Sequence, residues 1–345
     1  MALTKEQFQQ IREELDYCNK PLFFFDDDPD GLASFLLLYR YKREGKGIPV
    51  KSTPKVDDKF VRNVEEYQPD KVFIVDIPMV EQSFLDQVSM PVIWIDHHTP
   101  CKRSKVKYFN PRMNDPEDNP STAVNCYFVV QQDLWIAMVG AVGDWQLPSF
   151  TAEFQKQYPD LLPKTVKKPE QALFQSKLGE LVKIFAFILK GKASEIKKYV
   201  NILTRIQNPY EILEQKTAQG KFVYKKYQEI NKLYATLLQK AKQAKTKDSF
   251  LIFKYPDDKM SFTKELSNEL LFLHPEKLII VGRVKSGEVK ISLRSSKMKL
   301  NQILQKALEG LPESYGGGHE YACGAVVKEK DFEPFIANLR DLTKQ

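Results

Sequence analysis

Four short acidic segments each follow an apolar run. Asp26-Asp27-Asp28-Pro29-Asp30-Gly31 comes after Phe23-Phe24-Phe25, Asp76 after Val72-Phe73-Ile74-Val75, Asp96-His97-His98 after Val92-Ile93-Trp94-Ile95, and Asp144 after Gly140-Ala141-Val142-Gly143. Short continuous apolar runs read as buried strands of a parallel sheet, so each acid is expected where such a strand stops. That carboxyl edge is where open α/β sheets bind their ligands. Carboxylates gathered there repel one another and would take up protons unless cations sat between them. Oxygen donors with one or two imidazoles suit Mn²⁺ or Mg²⁺ better than an ion that prefers thiolate. One acid shared by two such ions, about 3.5–4 Å apart, would let the pair activate water and clamp a phosphoryl group. Taken singly, an Asp-rich turn after a strand is a helix cap more often than a ligand set. The conjunction of four such sites, one of them holding two of the chain's four histidines, points instead to a metal centre.

A second motif lies near the end of the chain: Tyr315-Gly316-Gly317-Gly318-His319-Glu320-Tyr321-Ala322-Cys323-Gly324, shortly after the strand-like Val289 to Arg294. Glycines let a backbone approach a ligand closely, although a glycine run alone is only a flexible turn. With both motifs present, the chain resembles the DHH phosphoesterase superfamily. Within it, the RecJ-like exonucleases and the nano-RNases carry a DHH-associated C-terminal domain, and the likeness covers nearly the whole chain in two blocks.

The resemblance implies a ligand map. Asp26 and Asp28 would bind one ion, Asp30, His97 and Asp144 the other, and Asp76 would bridge them. His98 would contact the scissile phosphate and assist the chemistry, with Asp96 orienting a histidine from behind. Gly316, Gly317 and Gly318 would bring backbone N–H groups to a phosphate, and Arg294 and His319 would hold the substrate. Two departures bear on this map. Pro29 stands where a small residue, often Ala, is usual, and Asp27 makes the acidic run denser, so the assignment within Asp26, Asp27 and Asp28 stays open by one position. The cofactors implied are two Mn²⁺ ions, with Mg²⁺ or Co²⁺ as substitutes.

Size and composition agree with a soluble, cytoplasmic enzyme. At 345 residues the chain holds two or three domains with cores of their own. No stretch approaches the roughly 18 apolar residues of a membrane span, and the start lacks a signal peptide's apolar core. Cys18, Cys101, Cys126 and Cys323 show no CxxC spacing, which supports neither a disulfide frame nor a zinc ribbon.

The expected fold is α/β in three parts. Residues 1–150 alternate strand and helix patterns, such as the amphipathic stretch from Leu32 to Tyr41 and the helix-like Ser121 to Val130, and predict a doubly wound, mainly parallel sheet. Residues 151–247 are helical, with apolar stripes from Phe174 to Leu189 and from Ile196 to Ile206. Residues 248–345 predict a smaller α/β domain. Between Gln215 and Lys247 stand nine lysines, at 216, 221, 225, 226, 232, 240, 242, 245 and 247, against Glu229 alone. The apolar positions of that segment, Val223, Tyr227, Ile230, Leu233, Tyr234, Leu237, Leu238 and Ala241, keep helical spacing. It reads as a helix with one packed face and one wet basic face. Lys221, Lys225 and Lys226 would guide a polyanionic strand, and Phe222, Tyr224 and Tyr227 would stack bases where exposed.

The function expected from residues and resemblance together is Mn²⁺-dependent, two-metal hydrolysis of single-stranded DNA or RNA from an end. A duplex would have to be opened before its scissile phosphate reached the centre. The alternatives are a nano-RNase, a 3′-phosphoadenosine 5′-phosphate phosphatase or a cyclic dinucleotide phosphodiesterase, or else a non-catalytic replication or repair scaffold. The full ligand set argues against the scaffold, and the Gly-Gly-Gly-His block argues against an inorganic pyrophosphatase. The helical middle region offers a docking surface for a helicase or another replication or repair protein, and no membrane partner is expected.

Overall fold

The computed structural model describes residues 3–51, 55–244, 248–256 and 260–343, so Lys245 and Lys247 of the lysine-rich segment lie outside the described residues. The chain divides into two units, Met1–Gln228 and Glu229–Gln345. In the first unit, α1 (Lys5–Asp16) leads to β1 (Pro21–Asp26), α2 (Pro29–Lys42) and β2 (Lys46–Val50). The short β3 (Lys55–Val56) and α3 (Val61–Tyr67) precede β4 (Lys71–Val75); β5 (Met79–Val80) and α4 (Gln82–Gln87) precede β6 (Val92–Ile95) and β7 (Lys107–Phe109). Helices α5 (Thr122–Val130), α6 (Leu134–Gly143), α7 (Thr151–Gln157), α8 (Pro169–Gln175), α9 (Lys177–Ile188), α10 (Ala193–Leu203) and α11 (Tyr210–Leu213) follow.

The main sheet runs β2-β1-β4-β6-β7 with every pairing parallel. The chain steps outward from β1 to β2, then crosses back past β1 to β4, which makes the sheet doubly wound. Leu22 to Phe25, Val72 to Val75 and Val92 to Ile95 are all buried, as strands covered on both faces must be. On one face Leu22, Phe24, Ile74 and Trp94 join Val64 of α3 and Phe84 of α4. On the other, Phe23 and Phe25 set their rings against Phe35 of α2.

Two helices correct the sequence reading. Gly140 to Gly143, expected as a strand, is the last turn of α6. Every residue of α6 from Leu134 to Val142 is buried, among α2, α5 and α9. A helix surrounded by protein has the same unbroken apolar pattern as a buried strand, and periodicity cannot separate them. Likewise α2 buries every residue from Pro29 to Leu38 rather than one face.

The helical region up to Gln228 belongs to the first unit. Arg40 of α2 shows how it is tied there. Its guanidinium forks onto Asp133 at 2.7 and 2.8 Å and donates to the carbonyls of Thr204 and Ile206 beyond α10. The stripe from Phe174 to Leu189 is two helices, parted at Ser176, whose Oγ accepts the Gly179 N–H and caps α9.

Helix α12 (Ala218–Lys242) runs from the first unit into the second and buries Val223, Tyr227, Ile230, Tyr234, Leu238 and Ala241; Leu233, expected on that face, is exposed. The second unit contains β8 (Phe250–Pro256), α13 (Thr263–Leu273), β9 (Leu278–Lys285), β10 (Glu288–Arg294), α14 (Leu300–Leu308), β11 (Tyr315–His319), β12 (Ala322–Lys328) and α15 (Phe332–Thr343). Its sheet runs β11-β12-β10-β9-β8, with β8 and β9 parallel and the other pairs antiparallel. Leu300 and Leu304 of α14 and Phe332, Phe335 and Leu339 of α15 pack on one sheet face, and α13 lies against β9 and β10. No helix among the described residues is long and apolar enough to cross a membrane.

Candidate metal centre

The strand order reverses between β1 and β4, and the acids gather at the carboxyl ends of these two strands. Asp26 is the last residue of β1. Asp28 caps α2, its Oδ1 accepting the Gly31 N–H at 3.0 Å, and Pro29 fills the first helical turn, where no N–H is needed. A Cβ on Gly31 would lie 2.6 Å from the Asp26 carbonyl oxygen. Glycine therefore lets the start of α2 sit directly on the end of β1, which folds Asp28 and Asp30 back over Asp26.

Asp30 is buried, and its carboxylate accepts the N–H groups of Thr122 and Ala123 at 2.8 and 2.9 Å. These belong to the first turn of α5, whose N–H groups have no partner within the helix and whose dipole favours an anion. Asp76 follows β4 in the left-handed region, at φ 61°, and accepts the Thr122 hydroxyl at 3.0 Å. Its backbone N–H donates to the Ile95 carbonyl at 2.9 Å, which holds that uncommon conformation in place. His97 is buried between acids: its Nε2 lies 3.4 Å from Asp76 Oδ1 and 3.3 Å from Asp144 Oδ2. Its Nδ1 faces the side-chain oxygen Oδ1 of Asn119 at 3.0 Å. An oxygen there accepts, so Nδ1 carries the proton and Nε2 is left as a donor atom for a metal.

Three donor sets result, each with ligand atoms within 4.8 Å of one another: Asp26, Asp28 and Asp76; Asp30, His97 and Asp144; and Asp76, His97 and His98. The first two contain all six residues expected as ligands. Burial, then Asp144, pushes the Asp30 carboxyl up to about 6. Burial, then Asp30 and Asp28, pushes Asp76 well above the usual carboxylate range. Crowded acids that resist ionisation, with an imidazole and no thiolate, fit hard divalent cations such as Mn²⁺ or Mg²⁺.

The crowding has a measurable consequence. Asp30 takes up its proton more readily when folded, so in metal-free protein its contribution to stability is complete below its ordinary value of 3.8 and is lost as pH rises through about 6. With a chelator present, the melting temperature should be lower at pH 7.5 than at pH 5, and Mn²⁺ should close the gap. Equal melting temperatures with and without Mn²⁺ at pH 7.5 would count against cation binding here.

His98 is held by Asp96 from behind. Asp96 is fully buried and lies 2.7 Å from His98 Nδ1; it also accepts from the His98 backbone N–H at 3.1 Å and from Tyr108 and Asn110 at 3.3 Å each. Burial opposes a charge on the imidazole, but Asp96 outweighs it and raises His98 to about 9. The Tyr108 ring in turn stacks on Trp94 at 3.9 Å. Asn110, Asn119, Tyr108 and Thr122 were missed in the sequence. The only local signal is that both asparagines precede a proline, which marks a turn and not a role.

Residues 22–146 match the DHH family, N-terminal domain, and residues 248–345 match the DHHA1 domain. This chain belongs to the DHH superfamily. Members of the DHH family are metal-dependent phosphoesterases. Among solved structures, RecJ from Thermus thermophilus in complex with Mn²⁺ is 18% identical, with a TM-score of 0.66 over 99% of this chain and 55% of that one. Exonuclease RecJ bound to manganese is 16% identical, with a TM-score of 0.63 over 100% of this chain and 96% of that one. A DHH domain described as a member of the s1p family of ribosomal proteins is 14% identical, with a TM-score of 0.70 over 97% and 89%. At these identities the likeness is one of fold, and this chain spans about half of the Thermus thermophilus protein. No curated protein sequence matches the chain.

Within the DHHA1 domain the Gly-Gly-Gly-His motif is an edge strand, β11, and not a turn. Gly318, at φ 142°, approaches β12 so closely that a Cβ would lie 2.4 Å from the Ala322 carbonyl oxygen. Both His319 and Arg294 pair with Ala322, from its two sides, so the two side chains project to one face with a small residue between them. Arg294 is anchored by Asn268 at 2.7 Å and by the carbonyls of Leu293 and Cys323. Burial lowers its guanidinium to about 10, which still leaves it charged at neutral pH.

On α12, Lys221 and Lys225 are exposed, but Lys226 is not a free cation: it is 8% exposed and its Nζ lies 3.3 Å from Glu195. The expected stacking rings are also engaged. Phe222 stacks on Tyr199, Tyr224 donates to Glu180 at 2.9 Å, and Tyr227 is buried. All three turn toward neighbouring helices because α12 is packed over a wider arc than its apolar spacing suggested.

Proposed function

We propose that this protein is a Mn²⁺-dependent phosphodiesterase that degrades single-stranded nucleic acid from an end. One observation carries the reading: two complete donor sets adjoin, with Asp76 of the first 3.4 Å from His97 of the second. Asp26, Asp28 and Asp76 would hold one ion, and Asp30, His97 and Asp144 the other, with Mg²⁺ or Co²⁺ able to substitute. When bound, such ions supply positive charge for a phosphoryl oxygen and acidify water. His98, oriented and kept protonated by Asp96, offers its Nε2 proton to the scissile phosphate or the departing oxygen. Arg294, His319 and the backbone of Gly316 to Gly318 bind a phosphate of the same strand. The exposed Lys221, Lys225 and Lys232 attract the polyanion. A cytoplasmic protein that works beside a helicase or another replication or repair component is the setting this activity suits.

The deciding assay incubates purified protein and Mn²⁺ with end-labelled single strands of DNA and RNA of several lengths, resolved on a gel. Progressive shortening from one end supports the reading. Cleavage confined to dinucleotides or cyclic dinucleotides would assign the protein to the short-substrate branch, and no cleavage of any phosphoester would leave a scaffold. Replacing Lys221, Lys225 and Lys232 together by Glu should flatten the salt dependence of long-strand binding by about two logarithmic units of slope, at ~0.7 per phosphate contact. An unchanged slope would remove α12 from the substrate path.

A further inference from the structure

Residues paired directly across neighbouring strands project to the same sheet face. Across β10, β12 and β11 the register continues the row of Arg294, Ala322 and His319 with a second row, Ser292, Gly324 and Gly317, and a third, Lys290, Val326 and Tyr315. These rows face away from α14 and α15, which take the alternate residues Ile291, Leu293, Cys323 and Ala325. The middle row is open at its two glycines, while α13 packs on this face over β9 and β10 and covers the Ser292 end. Gly317 and Gly324 are exposed; a Cβ on Gly317 would meet nothing within 4 Å, and one on Gly324 only the Ile291 carbonyl oxygen at 3.7 Å. On this floor Ser292 is 8% exposed, and its hydroxyl makes no hydrogen bond to any described residue. A nearly buried hydroxyl without a protein partner is a place for a ligand's polar atom.

The third row carries what a nucleotide needs. The Tyr315 ring is 64% exposed beside the apolar Val326, and Lys290 is exposed and in no ion pair among the described residues. The next row ends the trough, since Lys328 there is paired with Glu288 at 3.2 Å and Glu313 at 3.0 Å. Lys290 stands four residues from Arg294 on one strand, about 13–14 Å away at ~3.4 Å per residue. We propose that this trough seats the stretch of single-stranded nucleic acid next to the phosphate held by Arg294 and His319. Tyr315 stacks on a base over Val326, Ser292 bonds the sugar-phosphate backbone crossing the glycines, and Lys290 meets a phosphate further along. The inference rests on the phosphodiesterase reading and adds that recognition extends beyond one phosphate in the DHHA1 domain.

Binding of a fluorescein-labelled single-stranded oligonucleotide to the full chain, followed by anisotropy in chelator so that nothing is cleaved, tests it. Tyr315→Ala should weaken binding about tenfold, as loss of one base stack does, and Tyr315→Phe should restore it. Gly317→Val, which fills the trough where there is room for a side chain, should weaken binding at least as much at an unchanged melting temperature. Lys290→Ala should lower affinity and salt dependence together. Unaltered affinity in both Tyr315→Ala and Gly317→Val, or no binding by the unmodified protein, would overturn the trough. Should Gly317→Val melt early, the contrast between Tyr315→Ala and Tyr315→Phe decides. Hydrolysis of bis(p-nitrophenyl) phosphate with Mn²⁺ reports on the metal centre separately. Its absence would remove the phosphodiesterase reading even if the trough binds a strand, whereas its presence with unaltered variant binding would remove only the trough.

Discussion

Asp76→Asn should abolish hydrolysis while leaving the fold intact. Asp76 belongs to two donor sets and lies 3.4 Å from His97, so a neutral amide there withdraws charge from both cation positions. Charge stabilisation of several kcal/mol is at stake in such a centre, which at about 1.4 kcal/mol per tenfold is a loss on the order of 10³-fold or more. Asn is a clean replacement because it tolerates the left-handed backbone that Asp76 adopts, and its carbonyl oxygen can still accept the Thr122 hydroxyl. In chelator the variant should melt no lower than the unmodified protein, since burial and the neighbouring acids already keep the Asp76 carboxyl protonated far above its ordinary range. The measurements are turnover on an oligonucleotide, bound Mn²⁺ and melting in chelator. Turnover within tenfold of the unmodified protein at full metal content would rule out a shared ligand.

Gly31→Ala should damage stability and activity together. The added methyl would stand 2.6 Å from the Asp26 carbonyl oxygen and 2.7 Å from the Asp26 nitrogen, and these are backbone atoms that cannot swing aside. Overpacking of this kind costs ~1–3 kcal/mol. Relief requires the start of α2 to lift off β1, carrying Asp28 and Asp30 away from Asp26, and a displacement near 1 Å at a reacting centre costs about 10²-fold in rate. Gly317→Ala, where a methyl would meet nothing within 4 Å, is the stability control and should melt like the unmodified protein. A Gly31→Ala protein with unaltered melting and turnover would show that the tight seat of α2 on β1 does not set the centre.

The acidic segments and the strands that carry three of them were legible because a strand buried on both faces is a continuous apolar run, and β1, β4 and β6 are such runs. The same pattern misled at Gly140 to Gly143, because a helix enclosed by α2, α5 and α9 is apolar all round as well, and Asp144 therefore enters from a helix end. Lys226 was beyond reach for a related reason. A lysine count gives the charge of a segment, but whether Nζ meets water or Glu195 depends on where α10 packs. Types and spacing in the sequence by themselves determined the donor types and the parallel sheet, and they marked the glycine motif, which only the structure shows to be an edge strand. Tertiary structure alone decided that Asp30 is held by the first turn of α5, and that His97 turns its Nε2 toward two acids while its Nδ1–H donates to the Asn119 side chain. Each of these is a hydrogen bond whose partner is supplied by a loop or helix end placed through packing, and no local run of residues records that placement.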